Sequence, residues 1–363
     1  MRVTCIVGAR PNFMKVAPIL AAMRPFDTIA ARLVHTGQHY DERMSTLFFR
    51  ELGLPQPDAY LGVGSGSHAV QTARVMELFD ADLDQHPADV VLVVGDVNST
   101  IACALVAAKR NIRVAHVEAG LRSRDRQMPE EVNRILTDQI SDWLFTSERS
   151  ALDNLVAEGI EPARVHFVGN VMIDTLVTHR AAAAARPVLA TLGLAPKQYA
   201  IITLHRPSNV DTLEAAANTV QAIEAVAARL PTVIPFHPRT SSKLQQFGLL
   251  ERVTSLPGVQ VVEPQGYLDF LCLMDHAALV FTDSGGIQEE TTALGVPCLT
   301  FRDSTERPIT VTEGTNVLLG TSAAAVPAAV DAALQGRRGA RIPEYWDGRA
   351  SERIVAVLAG APA

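Results

Sequence analysis

The stretch Ala277–Gly295, AALVFTDSGGIQEETTALG, changes backbone character twice within a few residues. AALVFT is a short apolar run suited to a covered strand, DSGG is a turn with little side-chain bulk, and IQEETTALG is a helix ending near Gly295. Strand, tight turn and helix in that order read as a βα unit. The turn leaves N–H groups free at a helix N-terminus, where they and the macrodipole favour an anion. Ser284, Gly285 and Gly286 therefore form a candidate phosphate cradle. Glu289 and Glu290 complement the helix dipole on the plainer reading; on the other, one of them accepts the vicinal hydroxyls of a ribose whose phosphate sits on the turn.

Working outward, the same pattern repeats. RVTCIV, ARLVH, DVVLVVGD, RVAHVEAG, WLFTS and RVHFVG precede a helical, Pro/Gly-punctuated segment, and YAIITLHR, TVIPFHP, VQVVEP, PCLTFRD and TNVLLG resume beyond it with the opening stretch among them. Continuous apolar strands separated by Ala/Leu-rich helices predict parallel sheets covered on both faces. The expected fold class is α/β, with two Rossmann-like, doubly wound parallel-sheet domains and a cleft between them. Residues 1–170 form the first, residues 171–345 the second, and an amphipathic helix at about 346–363 packs back on the first. Ligands in such sheets bind at the carboxyl ends of the strands.

The bulk properties fit that plan. A chain of 363 residues, 48% hydrophobic and 20% charged, suits two compact domains. A net charge of −7 gives no global attraction to nucleic acid or to an anionic membrane, so phosphate binding must come from local groups. The four cysteines, Cys5, Cys103, Cys272 and Cys298, are widely spaced and form no C-x-x-C pair, which reads as reduced core residues of a cytoplasmic protein. No signal peptide or membrane span is expected.

The remaining candidates stand at strand ends. In VGARPNFMK, Arg10 and Lys15 would oppose the dipole of the helix they open unless an anion lies between them. Asp96, Glu118 and the pair Glu130 and Glu131 are carboxylates available for acid and base work, with helix capping by Asp96 and a salt bridge from Glu130 or Glu131 to Arg134 as the structural alternatives. His205 and His237 end YAIITLH and TVIPFH, and His205 is placed to donate to a leaving diphosphate. Arg307 in RDSTERP is a further anion contact or a partner of Glu306. No H-E-x-x-H run argues for a metal, and without a Walker sequence or a G-x-G-x-x-G after the first strand, neither a Walker NTPase nor a standard NAD enzyme is expected.

Taken in order, GARPNFMK, TGQH, GDVNST, HVEAGLRS, MPEEVNRILTD, GNVMID, HRPSNVD, QGYLDFL, DSGGIQEE, LGVPCLTFRDSTERP and GTNVLLG resemble the non-hydrolysing UDP-N-acetylglucosamine 2-epimerases over nearly the whole chain. The resemblance implies a plan similar to the GT-B glycosyltransferases, a UDP-sugar substrate, no cofactor or metal, and a homodimer. It also implies inversion at C2 by elimination and re-addition of UDP. Asp96, Glu118, Glu130 and His205 match the catalytic residues. Arg10, Lys15, His237, Ser284, Gly285, Gly286, Glu290 (on the ribose) and Arg307 match the substrate-binding set, and Arg134 is counted with them. UDP-2,3-diacetamido-glucuronic acid epimerases share these motifs, and a GT-B glycosyltransferase shares the plan.

Overall fold

The computed structural model describes residues 1–38, 50–335 and 340–360. The side chain of Arg10 and residue His39 of TGQH lie outside the described residues. Two units emerge, one made of Met1–Thr178 with Glu344–Ala363, the other of His179–Pro343.

The first unit holds seven parallel strands: β1 (Arg2–Val7), β2 (Ala30–His35), β3 (Ala59–Tyr60), β4 (Val90–Val94), β5 (Arg113–Val117), β6 (Trp143–Thr146) and β7 (Val165–Phe167), in the order β3-β2-β1-β4-β5-β6-β7. All five residues of VVLVV in β4 are buried, as a central strand covered on both faces requires. Its core gathers Val75, Phe79, Val91, Val93, Ala102 and Val114 between sheet and helices. The helix Ala350–Leu358 packs on the helix Arg10–Met23, and buried Asp174 caps it by accepting the N–H groups of Ala350 at 3.0 Å and Ser351 at 2.6 Å.

The second unit winds the same way with β8 (Ala200–Thr203), β9 (Thr232–Pro235), β10 (Val259–Val262), β11 (Leu279–Thr282), β12 (Cys298–Thr300) and β13 (Asn316–Leu318), in the order β10-β9-β8-β11-β12-β13. Each sheet reverses direction of winding once, between β1 and β4 and between β8 and β11. These are the switch points at which loops on opposite sides part and leave room for a ligand. The four cysteines are buried and unbridged, and no described helix is long and apolar enough to cross a membrane.

Candidate active site

At the first switch point, β1 runs into Gly8 and the helix Arg10–Met23, and β4 runs into Gly95 and Asp96. Asn12 ties the two loops: its Oδ1 accepts the N–H groups of Gly8 and Ala9 at 3.1 and 2.9 Å, and its Nδ2 donates to the Val94 carbonyl at 3.1 Å. One turn further along that helix, the Lys15 ammonium donates to the Glu118 carboxylate, both side chains being buried. Gly95, at φ 66°, lies against this pair; a Cβ there would sit 3.3 Å from Lys15 Nζ and 3.4 Å from Glu118 Oε2. Glu118 itself holds φ 70°, a left-handed conformation uncommon outside glycine and a mark of a site fixed by its surroundings.

Asp96 does not cap the following helix, whose N-cap is Val97 with no side-chain bond. Instead its carboxylate accepts from Arg134, which also donates to Glu131. Glu131 is the inward member of its pair and further accepts the N–H groups of Ser123 and Arg124 at 2.9 and 2.8 Å. Burial pushes its carboxyl up, but those N–H groups and the Arg134 guanidinium outweigh it and hold it below the ordinary range. Glu130, one residue earlier, is half-buried and has no bonded partner among the described residues. The two adjacent glutamates thus divide into a scaffold carboxylate and an available one.

At the second switch point the organising group is Asp283, fully buried. It accepts the N–H groups of His205 at 2.9 Å and Arg206 at 2.8 Å and the amide of Asn209 at 2.9 Å, and the His205 ring Nδ1 stands 3.0 Å away. A carboxylate there requires hydrogen on Nδ1, so Nε2 is the working nitrogen. The His237 ring stacks 5.2 Å from that of His205, and its Nδ1 accepts the Arg239 N–H at 3.2 Å.

The turn Ser284–Gly286 opens the helix Gly285–Leu294 without a side-chain cap. Arg307 sits over it, 2.8 Å from Glu306 and 3.0 Å from Glu289, and a Cβ on Gly285 would fall 2.7 Å from its guanidinium. Glu306 also receives Arg302 at 2.8 Å, and Arg206 stands 3.7 Å away. Glu290 is buried beside Tyr267, whose hydroxyl is pushed well above its usual value by burial and then by the Glu290 charge.

Asp283, Asn12 and Gly95 were not singled out as functional from sequence, although Asp283 carried the signal used for Asp96, an acid at the end of an apolar strand; for Glu131 the salt bridge to Arg134 is the alternative that holds. His35 and His39 stand four apart, but His35 ends β2, where its Nδ1 accepts the Gly37 N–H at 2.8 Å, and burial holds its ring at about 4.

Two of these carboxylates set an acid limit. Burial raises Asp283 and Glu306, but His205 in the first case, and Arg307 and Arg302 in the second, pull both below the ordinary carboxylate range. Their stabilisation is complete above the unfolded values near ~4 and drains away as the pH falls from there toward the folded ones. Melting temperatures from pH 7 to pH 2.5 are expected to drop steeply below about pH 4. Glu306→Gln should melt lower at pH 7 and show a shallower drop, and a parallel curve would refute this assignment.

A pair of doubly wound parallel sheets with charged strand ends at both switch points defines a two-unit α/β enzyme. The family model described as UDP-N-acetylglucosamine 2-epimerase matches residues 21–359. The UDP-N-acetylglucosamine 2-epimerase of Methanocaldococcus jannaschii is 43% identical over 363 residues, 99% of each chain. The UDP-2,3-diacetamido-2,3-dideoxy-D-glucuronate 2-epimerase of Pseudomonas aeruginosa is 42% identical over 372 residues, again 99% of each. The crystal structure of the M. jannaschii enzyme in complex with UDP-GlcNAc and UDP superposes with a TM-score of 0.93, covering 99% of this chain and 100% of that one. The chain belongs to the UDP-N-acetylglucosamine 2-epimerase family.

Proposed function

We propose that the protein interconverts UDP-N-acetylglucosamine and UDP-N-acetylmannosamine for cell-envelope polysaccharide precursors, in the cytoplasm and as a homodimer. The observation that carries this reading is the pairing of Asp96 with Arg134 and of Glu118 with Lys15 beside one switch point, with Glu130 in the first turn of the helix that bears Arg134, on a chain whose relative holds UDP-GlcNAc and UDP. A base takes the C2 hydrogen, the C–H electron pair becomes the C1–C2 double bond, and the C1–O bond breaks to release UDP and 2-acetamidoglucal. Re-addition of UDP at C1 with protonation of C2 from the other face gives the epimer. A weakly acidic C–H bond needs a placed base, and the departing diphosphate needs N–H dipoles and cations. His205 Nε2, Arg307 and the turn Ser284–Gly286 serve the leaving group, with Arg10 and Lys15 as further phosphate contacts. His237 flanks the diphosphate and Glu290 holds the ribose. Arg134 acts by holding Asp96, since both sides of its guanidinium are committed to carboxylates. Lys15 drawn onto the diphosphate frees Glu118 as a base.

Proton NMR in deuterated water with UDP-N-acetylglucosamine tests this. Deuterium at C2 together with UDP-N-acetylmannosamine supports it, and no exchange refutes it. The 42% identity to the Pseudomonas enzyme motivates a second reading in which the sugar is UDP-2,3-diacetamido-glucuronic acid; exchange with that substrate alone selects it. Light scattering reads the assembly against the 39.0 kDa of one chain.

Gly285→Ala should weaken UDP binding, because its Cβ must displace Arg307 and Glu306. Overpacking of about 1–3 kcal/mol, if it falls on the bound state, corresponds to roughly 5–150-fold in Kd by calorimetry. Unchanged affinity would separate the turn from the nucleotide.

A further inference from the structure

His116 lies in β5, two residues before Glu118, fully buried and unused by the chemistry above. Its Nδ1 is 2.7 Å from Asp138 Oδ1 and its Nε2 is 2.8 Å from the Gly95 carbonyl oxygen. The carbonyl can only accept. Asp138 is engaged as a carboxylate by the Gly120 N–H at 3.1 Å and the Arg122 guanidinium at 2.7 Å, both on its other oxygen. A neutral imidazole carries one N–H, so either tautomer would aim a lone pair at an oxygen lone pair at hydrogen-bond distance. A ring with hydrogen on both nitrogens satisfies both neighbours.

The surrounding charge agrees. Arg122 is shared between Asp138 and Glu158, which it meets at 2.6 Å, so these three groups leave one negative charge that an imidazolium cancels. Beyond Gly95 the pair Lys15 and Glu118 is already balanced, and on the helix Pro129–Ile140 Arg134 faces both Asp96 and Glu131.

We infer that His116 is a buried imidazolium that ties together the three elements bearing the acids: β5 with Glu118, the Gly95 turn with Asp96, and the helix Pro129–Ile140 with Glu130. Its Nε2–H fixes the carbonyl of the left-handed turn at Gly95, and its Nδ1–H fixes Asp138 two turns beyond Glu130 on that helix. It touches no substrate and is a positioning residue for the proposed epimerisation, on which the kinetic part of this inference rests.

The charge is read from proton–nitrogen correlation spectra of imidazole-labelled protein at pH 7.5, with His116 identified by its loss in His116→Gln. Both ring nitrogens should carry hydrogen, and in Asp138→Asn the same ring should revert to the neutral pattern. A lone-pair resonance on either wild-type nitrogen overturns the assignment, including the case where the shared proton resides on Asp138, as does an Asp138→Asn spectrum that does not change. Positioning is read kinetically: His116→Gln should lower kcat by about 10–100-fold, the range typical of groups that orient reacting ligands, with KM held within about threefold. Wild-type kcat, or a loss confined to KM, overturns it. If His116→Gln does not fold, Asp138→Asn supplies the same kinetic comparison. A wild-type protein that epimerises nothing sinks the proposed function, while the spectra still decide the charge.

Discussion

Turnover of Glu118→Gln is expected to fall by about 10²–10⁴-fold, the range that a placed acid or base contributes. The amide keeps the size of the side chain but cannot take a proton from C2. A second effect follows from its partner. Glu118 and Lys15 are both buried, and removing one member of such a pair leaves an uncompensated charge, typically at a cost of about 3–5 kcal/mol. Loss of turnover alone would therefore not separate chemistry from folding. Adding Lys15→Met removes the stranded ammonium, so the double variant should recover much of the stability in a denaturant titration and none of the turnover. Recovery of both would make Glu118 a structural counter-ion. Full turnover in the folded single variant would remove it from the reaction.

The fold was legible because parallel strands covered on both faces must be apolar along their whole length. All twelve such runs in the sequence are strands, in the order the βα alternation demands. The strand that escaped notice is β3, two residues at a sheet edge, too short for any periodicity. Strand ends were legible as positions, since an acid or a histidine that closes an apolar run must face the loops.

Partnerships were not legible. Lys15 and Glu118 are 103 residues apart, and His205 and Asp283 are 78 apart, so only the winding of each sheet brings them together. Glu130 and Glu131 show the limit most directly. Both open the same helix, and the sequence offers either as a partner of Arg134. Helix phase and the N–H groups of Ser123 and Arg124 decide for Glu131. Asp283 reads in sequence as part of a bare turn, whereas its carboxylate collects donors from one end of the switch point to the other.

That collection makes Asp283→Asn the other large expected loss. The carboxylate presents only acceptors to four donors: two backbone N–H groups, the Asn209 amide and His205 Nδ1. An amide must turn its own NH2 toward at least one of them, leaving a buried donor unmet at about 1–3 kcal/mol. The His205 ring then loses the carboxylate that fixes its orientation through Nδ1, so Nε2 is no longer held where it serves the leaving group. By analogy with catalytic histidines whose orienting aspartate is neutralised, kcat is expected to fall by roughly a thousandfold. The Kd for UDP should move much less, because Ser284–Gly286 and Arg307 are held by a separate set of bonds through Glu306 and Gln288. Rapid-quench turnover and calorimetry with UDP divide the possibilities. A loss in kcat alone assigns Asp283 to the orientation of His205, equal losses in kcat and UDP affinity make it a support of the whole turn, and an unaltered kcat removes His205 from the leaving-group step.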